Sequence, residues 1–245
     1  MKPTAASCFE LHPALLPRVT PHALGYSLLE QDAAFPRIPE PARHALVDTA
    51  LSDGRARAES VTRDWGMDPW AIAKLLGVSI ASSDADAGFG SVVVFAEYTM
   101  RPPRITLYRT AIARMTQLLD ALRLRAALNA GNCEQVFLAH ELYHHLAQIG
   151  PEPQLSRSHR VRVLGFGRWV WSCGIASLEE IAAGAFAQGL LGLNFHPRLL
   201  DLLWARQAGP GDAARLESTF AGGERIRPVV RLDRDHGNTS SAPLR

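Results

Sequence analysis

Apolar residues recur every three to four positions in several stretches of the chain, which is the spacing of one buried face of an α-helix. The clearest stretch covers residues 133–149, where Leu142 and Leu146 continue an apolar lead-in. Asn132 precedes it as a suitable N-cap, because its side-chain oxygen can accept a hydrogen bond from the first turn. Gly150 precedes a proline, which cannot continue a helix, so we expect this glycine to end the helix in the left-handed conformation.

Shorter patterns predict the remaining elements. Further helices are predicted over residues 41–65, 70–76, 110–128 and 177–187. Runs of β-branched and aromatic residues predict strands from about residue 78 and over residues 91–97, 104–109, 161–164 and 169–171. A turn at residues 100–103 would join the second and third of these strands into a hairpin. We therefore predict an α+β fold that is mostly helical with a small β-sheet.

The distribution of prolines divides the chain. Seven of the 16 prolines fall within the first 41 residues, so residues 1–39 are predicted to form an extended, loosely ordered arm. Residues 40–221 carry the helix and strand patterns and form one predicted domain. Residues 222–245 are polar and are predicted to be a flexible tail.

Composition narrows the class of protein. With 47% hydrophobic and 20% charged residues, the chain resembles globular proteins with a sizeable core. Its net charge of +2 is too small to favour nucleic acid as a partner. Cys8, Cys133 and Cys173 form no disulfide or metal-knuckle pattern, so we expect a reducing compartment. The most apolar run, residues 181–195, is too short to span a bilayer, and we expect a cytoplasmic protein without a membrane partner.

The central helix carries the spacing H-E-x-x-H at His140, Glu141 and His144. Residues four apart lie on one face of a helix, about 6 Å apart, so both imidazoles can reach one ion at the distance of about 2 Å that zinc prefers. Glu141 lies one step round the helix, where its carboxylate can act as a general base. Buried histidines and a buried glutamate also need partners, and the pattern therefore predicts a Zn²⁺ site.

A catalytic zinc ion needs a third protein ligand, and the helix predicted over residues 177–187 offers Glu179 and Glu180. Small residues follow Glu180 on its own face and would let this helix approach the helix that carries the histidines. Glu179 instead shares its stripe with large apolar residues. We therefore predict that Glu180 is the ligand. Ser177 and Glu180 also have the spacing of a capping box, which would give this glutamate a purely structural role.

Residues 72–79 look like the first half of a helix-turn-helix. A recognition helix with polar and basic residues should follow such a segment, but residues 80–90 are acidic and rich in glycine. We expect a helix, a turn and a strand here, and no direct binding of nucleic acid.

Two segments together resemble the ImmA/IrrE-type metallopeptidases, which typically carry A-H-E-L-x-H on one helix and E-x-x-A-N-x-F-A on the next. The segments here are Ala139–His144 and Glu180–Ala187, and Pro102–Tyr108 is similar to the family's segment before the metal helix. The resemblance covers roughly residues 60–195.

The chain departs from this family in two places. Gly184 stands where the family has Asn or Asp, which removes a polar partner that could orient a metal ligand. The connection between the two matching segments is also longer than usual, which implies an insertion at about residues 151–176.

The resemblance implies a zincin-like core in which His140, His144 and Glu180 hold Zn²⁺ and Glu141 is the general base. It also implies an endopeptidase that cleaves a protein or peptide partner inside the cell, with transcriptional repressors among the expected substrates. The alternative is a catalytically weak or inactive regulatory module that binds a partner and keeps the zinc as a structural element.

Two features are left open by the sequence. Tyr98, Tyr108 and His159 are all candidates for a donor that stabilises the oxyanion. A structural zinc usually has four protein ligands, and Cys133 and Cys173 are the cysteines considered for that fourth position. Cys133 lies two helical turns before the first histidine, which disfavours it.

Overall fold

The computed structural model describes residues 19–85, 88–89, 92–126, 128–166 and 169–208. Its helices are α1 (Pro21–Glu30), α2 (Glu40–Trp65), α3 (Pro69–Leu75), α4 (Arg109–Ala121), α5 (Cys133–Ile149), α6 (Leu155–Ser158), α7 (Ser177–Leu191) and α8 (Arg198–Ala208), with a 3-10 turn at Phe35–Arg37. Its strands are β1 (Ser79–Ser83), β2 (Gly88–Phe89), β3 (Val92–Val93), β4 (Ala96–Met100), β5 (Pro103–Tyr108), β6 (Arg160–Phe166) and β7 (Trp169–Gly174). The fold is α+β and mostly helical with small sheets, which confirms the predicted class.

Helix α7 lies at the centre of the helical layer, where it packs against both α2 and α5. It comes close to α2 at Gly54, where an added Cβ atom would overlap the carbonyl oxygen of Ala182. Tyr143 of α5 donates a hydrogen bond of 2.7 Å to the carboxylate of Asp53 on α2. The three helices are therefore held together by close backbone packing and by a polar contact.

The three-stranded sheet has the order β1-β5-β4 and packs against α5. β5 is the central strand, parallel to β1 and antiparallel to β4, and its side chains Ile105 and Leu107 are completely buried. Within the described ranges, β4 forms one edge of this sheet. The hydroxyl of Tyr98 on β4 lies 2.9 Å from Nδ1 of His145 on α5, which fixes this edge strand beside the central helix.

The predicted hairpin is displaced along the chain. Its first strand, predicted over residues 91–97, is β4 and begins at Ala96. Phe95 is buried and stacks on Phe137 of α5 with ring centroids 4.5 Å apart. Because the Phe95 ring points into the core, the two residues of β3 do not continue β4. They pair instead with β2 in a separate two-stranded sheet.

The prediction of an extended N-terminal arm is wrong for residues 21–38. Thr20 caps α1, and Pro21 occupies its first position, where the fixed φ of proline favours a helix and its missing N–H is not needed. Leu24 and Leu29 are buried in the core. The prolines here begin helical turns, so their number alone does not indicate an extended chain.

The boundaries of α5 confirm the prediction of a helix over residues 133–149. The Asn132 side chain accepts a hydrogen bond of 3.0 Å from the N–H of Glu134, as expected of an N-cap. The predicted left-handed end is wrong, because Gly150 is extended with φ −66° and ψ 158°. The proline that follows disfavours helical conformations of the preceding residue and explains this exit.

Three parts of the predicted domain organisation lie outside the described residues, namely residues 1–18 of the arm, residues 209–221 at the end of the predicted domain and the tail at residues 222–245. The predicted insertion at residues 151–176 contains α6 and the hairpin of β6 and β7. No helix in the described part of the chain is long and apolar enough to cross a membrane.

Candidate metal centre

Helix α5 presents His140 and His144 from successive turns, and α7 brings Glu180 up to both. Nε2 of His140 lies 3.2 Å from Oε2 of Glu180, and Nε2 of His144 lies 3.5 Å from Oε1. The two Nε2 atoms are 3.3 Å apart. Ligand atoms bound at about 2 Å to one tetrahedral ion are separated by about 3.3 Å. The distance between the two nitrogens, and that from each nitrogen to its nearer carboxylate oxygen, are therefore close to those expected around one zinc ion, and zinc accepts nitrogen and oxygen ligands of this kind.

The two neighbouring glutamates of α7 have different partners. Oε1 of Glu179 accepts hydrogen bonds from the backbone N–H and the hydroxyl of Ser156, at 3.2 and 2.7 Å. Glu179 thus fastens the short helix α6 to the first turn of α7. The structure brings Glu180, the predicted ligand, to the histidines and leaves Glu179 with a structural contact.

The capping-box alternative for Glu180 is wrong. Ala176, not Ser177, precedes the first turn of α7. The N–H of Ser177 donates a hydrogen bond of 2.8 Å to the carboxylate of Asp32. Asp32, 145 residues earlier in the sequence, therefore caps α7. The Glu180 carboxylate is not needed for capping and is available to the histidines.

Gly184 makes room for His196, a residue that no sequence motif identified. An added Cβ atom at position 184 would overlap the imidazole ring. Nε2 of His196 donates a hydrogen bond of 3.1 Å to the carbonyl of Ile181, and Nδ1 accepts one of 3.2 Å from the N–H of Arg198. Burial lowers the pKa of His196 to about 4, so the ring is neutral and ties the start of α8 to the turn of α7 that carries the candidate ligand.

Replacing Gly184 with alanine should destabilise the protein by about 1–3 kcal/mol, because the new methyl group collides with a ring that has no free space. Adding His196→Ala should make the double variant more stable than the sum of the two single changes predicts. Gly131→Ala is the matched control, since no atom of the described residues lies within 4 Å of a Cβ atom at that position. Urea unfolding measures all four free energies, and strict additivity would contradict the contact.

Opposite charges stabilise the contact between His140 and Glu180. Burial lowers the pKa of His140, but the hydrogen bond and negative charge of Glu180 outweigh this effect and raise the pKa to about 9. Burial would raise the pKa of Glu180, but the two histidines lower it to about 2. Burial and the neighbouring His140 lower the pKa of His144 to about 4. Without a metal ion, therefore, one histidine carries a proton and the other is neutral.

Glu141 lies beside this group on α5 and lines the same cavity as His140 and Glu180. Burial raises the pKa of its carboxyl group, while the charge on His140 and a hydrogen bond from the backbone of Tyr98 lower it. The net shift is upward, because burial is the largest effect. A carboxylate with a raised pKa is a better proton acceptor near neutral pH than an exposed one.

A cavity of about 230 Å³ opens at these residues. One wall is apolar and the other is the start of α8. The apolar side chains come from Leu28, Val93, Phe95 and Phe137, and the α8 wall consists of His196, Pro197, Arg198 and Asp201. The guanidinium of Arg198 donates hydrogen bonds to Asp201 and Gln31 at 3.2 and 2.9 Å. Its Nε–H is buried and has no hydrogen-bond partner among the described residues. The sequence signal for α8 was Pro197, which directly precedes a segment rich in leucine.

None of the three predicted oxyanion donors lines this cavity. Tyr98 pairs with His145, the hydroxyl of Tyr108 donates to Glu97 at 3.0 Å, and Nδ1 of His159 donates to the carbonyl of Leu155 at 3.2 Å. Arg198 is the arginine that lines the cavity among the described residues, beside the imidazoles of His140 and His196. Its guanidinium is a cationic donor that the sequence analysis did not identify.

The described cysteines do not join the cluster of possible metal ligands. Cys133 is buried at the start of α5, and Cys173 is partly buried on β7. In the part of the chain that the structure describes, the candidate centre consists of three protein ligands, which leaves a coordination position open to water or substrate.

Comparison with known proteins adds no further assignment. The sequence matches no protein-family model, and neither the curated proteins nor the solved structures give a significant match. The resemblance to the ImmA/IrrE-type metallopeptidases therefore rests on the motifs alone and stays a prediction.

Proposed function

We propose that this chain is a zinc-dependent endopeptidase with a zincin-like core. The observation that carries the proposal is the meeting of His140, His144 and Glu180 beside a cavity that His140, Glu141 and Glu180 line together. Three protein ligands with an adjacent carboxylate are typical of hydrolytic zinc sites, whereas structural sites usually have four protein ligands.

In the proposed reaction, bound zinc would acidify a water molecule and polarise the carbonyl group of the scissile bond. The Glu141 carboxylate accepts a proton from the attacking water and then donates it to the nitrogen of the leaving amine. Arg198 supplies positive charge on the opposite wall of the cavity, where it can bind an oxygen of the substrate backbone. Its hydrogen bonds to Asp201 and Gln31 hold the guanidinium in place for this role.

The substrate would bind as an extended peptide along β4. The outer edge of this strand has no neighbouring strand among the described residues. Apart from the Tyr98 backbone group that bonds Glu141, its backbone groups can therefore pair with a peptide by strand addition. β4 packs directly on the helix that carries the histidines. By the resemblance of the motifs, repressor-like regulatory proteins are the first substrates to test.

The alternative function is a zinc-containing regulatory module without catalysis. The sequence feature that supports it is Gly184, which removes a polar partner of the metal ligands. In the structure this glycine accommodates His196, which gives the departure a packing reason and weakens its support for lost activity. The alternative would also need a fourth protein ligand, and none is near the three donors among the described residues.

The apparent affinity for zinc should depend on pH, because Glu180 raises the pKa of His140. At pH 7 His140 holds a proton because its pKa is about 9, and this proton must leave before the ring can bind zinc. His144, with a pKa of about 4, is already neutral. The apparent affinity for one zinc ion per chain should therefore rise about tenfold per pH unit between about pH 6 and 8.

Competition with a chromophoric chelator of known pH dependence measures this slope. In Glu180→Gln the carboxylate charge is gone, so the His140 pKa should fall and the slope above pH 7 should largely disappear. A wild-type affinity that is constant above pH 7 would contradict the ion pair.

The function itself is tested by whether zinc-loaded protein cleaves a co-purified or neighbouring-gene protein and whether chelation stops the cleavage.

A further inference from the structure

Helix α5 presents two pairs of polar side chains to two different neighbours. His140 and His144 meet Glu180 of α7. Glu141 and His145 each follow one of these histidines, so they are also four residues apart and share the next face of the helix. Both contact β4, against which α5 packs. The second pair therefore holds the edge strand beside the metal centre.

One residue of β4 contacts both members of this second pair. The backbone of Tyr98 forms a hydrogen bond with the carboxyl group of Glu141. The hydroxyl of Tyr98 lies 2.9 Å from Nδ1 of His145, and the two rings meet edge to face with centroids 5.5 Å apart. Tyr98 is thus fixed at its backbone and at the tip of its side chain, by residues one helical turn apart. These two contacts restrict both the position and the tilt of the strand.

His145 is an unfavourable residue for stability alone. It is 3% exposed, and its Nε2 is buried with no hydrogen-bond partner among the described residues. A buried polar atom without a partner destabilises a fold, and an apolar side chain would avoid this effect. An apolar side chain could not, however, form the hydrogen bond with the Tyr98 hydroxyl. Such a local conflict with stability is expected at functional sites, and here it indicates that the placement of Tyr98 matters.

The strand that contains Tyr98 also borders the cavity of the metal centre. Ala96, two residues earlier on β4, lines that cavity together with Glu141. In the proposed reaction β4 holds the substrate and Glu141 transfers the proton, so both depend on the same tyrosine. We propose that Tyr98 and His145 are positioning residues, which set the edge strand and the general base relative to the metal centre. This inference deepens the proposed function and rests on it.

Four variants separate this hydrogen bond from the other properties of the side chains. Tyr98→Phe removes the hydroxyl and keeps the ring. In His145→Asn the side-chain amide takes the place of Nδ1, and because an amide both donates and accepts, it can bond the Tyr98 hydroxyl in either tautomer of the histidine. His145→Gln places the amide near the position of Nε2 and should lose the bond. Tyr108→Phe is the matched control, because it removes a tyrosine hydroxyl whose exposed partner is Glu97 of the same strand.

The first measurement is hydrogen–deuterium exchange of the β4 amides, residues 96–100, in the full-length chain with one equivalent of zinc added. Loss of one hydrogen bond between strand and helix should make these amides exchange about two- to tenfold faster. We expect this result in Tyr98→Phe and His145→Gln, but not in His145→Asn or Tyr108→Phe. Thermal unfolding shows whether each variant is folded. Tyr98→Phe keeps the packing of the ring and decides the test if His145→Gln does not fold.

The second measurement is the single-turnover rate of partner cleavage, expressed per folded, zinc-loaded molecule. A shift of about 1 Å in a reacting group can slow a reaction about 100-fold, so the rate should fall at least about tenfold in Tyr98→Phe and His145→Gln. His145→Asn should stay within about threefold of the wild type, because the strand keeps its position. A merely structural role would lower the folded fraction and leave this rate unchanged.

The outcomes distinguish this inference from the function on which it rests. Faster exchange and slower cleavage in Tyr98→Phe and His145→Gln, both absent in His145→Asn and Tyr108→Phe, support the positioning role. Unchanged exchange in Tyr98→Phe would overturn it, and so would faster exchange with an unchanged rate of cleavage. Equal effects in Tyr108→Phe would overturn it as well, because loss of any hydroxyl from this sheet would then act alike. If the wild type cleaves no partner, the peptidase function fails, and the exchange rates alone decide whether the pair positions the strand.

Discussion

Replacing Glu141 with glutamine is expected to lower cleavage of the partner protein by about 10²- to 10⁴-fold while zinc stays bound, which is the range that general acid–base groups contribute. Glutamine has nearly the shape of glutamate, so packing and the contact with the Tyr98 backbone should survive. It cannot accept a proton from water. The three candidate ligands are unchanged, and zinc affinity should remain close to that of the wild type.

The matched control is Glu97→Gln on β4. Glu97 is a neighbouring carboxylate whose charge affects Glu141, but it is exposed and accepts a hydrogen bond from Tyr108. This variant removes the same charge from the same region without touching the proposed base, and it should retain most activity. Single-turnover cleavage of a co-purified or neighbouring-gene protein is the measurement, because a generic protein digest would miss a selective enzyme.

Two results would separate the enzyme from the regulatory module. If Glu141→Gln cleaves as fast as the wild type, Glu141 is not the base. If neither the wild type nor Glu141→Gln cleaves any partner protein, and both have the same effect in cells, the metal centre has a structural or binding role. Release of zinc by Cys173→Ser would strengthen that second conclusion, because it would identify a fourth protein ligand.

The local part of the centre could be predicted from the sequence because it depends on one helix. Residues four apart on a helix must share a face, so the positions of His140 and His144 follow once α5 is recognised. Asn132 marks the start of that helix clearly. Glu180 is harder to predict, because its position depends on how α7 packs, and Gly54 of α2 and Asp32 before α2 both contribute to that packing.

The remainder of the cavity could not be predicted because it depends on contacts distant in sequence. Arg198 and Asp201 reach the cleft only after α8 folds back, and α8 is held there by His196 on Gly184. From the sequence alone, Gly184 indicated a lost polar partner. Its real role is to leave space for a ring twelve residues later, and no local pattern predicts that contact.

The N-terminal residues show a different limit of prediction from the sequence. A high proline count is typical of extended chain, but Pro21 occupies the first position of a helix, where proline is favoured. The decisive feature is the burial of Leu24 and Leu29 against other helices. Position within an element therefore matters more than the number of prolines, and position is visible only when the element boundaries are known.

Zinc affinity should distinguish the two adjacent glutamates of α7. Glu180→Ala removes the oxygen atoms that lie 3.2 and 3.5 Å from the histidine Nε2 atoms, and zinc affinity should fall by more than the roughly 10- to 100-fold that loss of an outer partner causes. Glu179→Ala is the matched control on the same helix turn. It removes two hydrogen bonds to Ser156 and should cost about 1–3 kcal/mol of stability with zinc affinity near that of the wild type.

The two readouts must be taken together, because each variant changes a different property. Chelator competition measures the zinc affinity, and urea unfolding of the metal-free protein measures the stability. Glu180→Ala should lose affinity in a protein that remains folded, whereas Glu179→Ala should lose stability and keep the metal. The opposite pattern, with zinc lost in Glu179→Ala and retained in Glu180→Ala, would move the ligand by one position. The ion pair between Glu180 and His140 would then be a structural contact, and the centre would need a different third ligand.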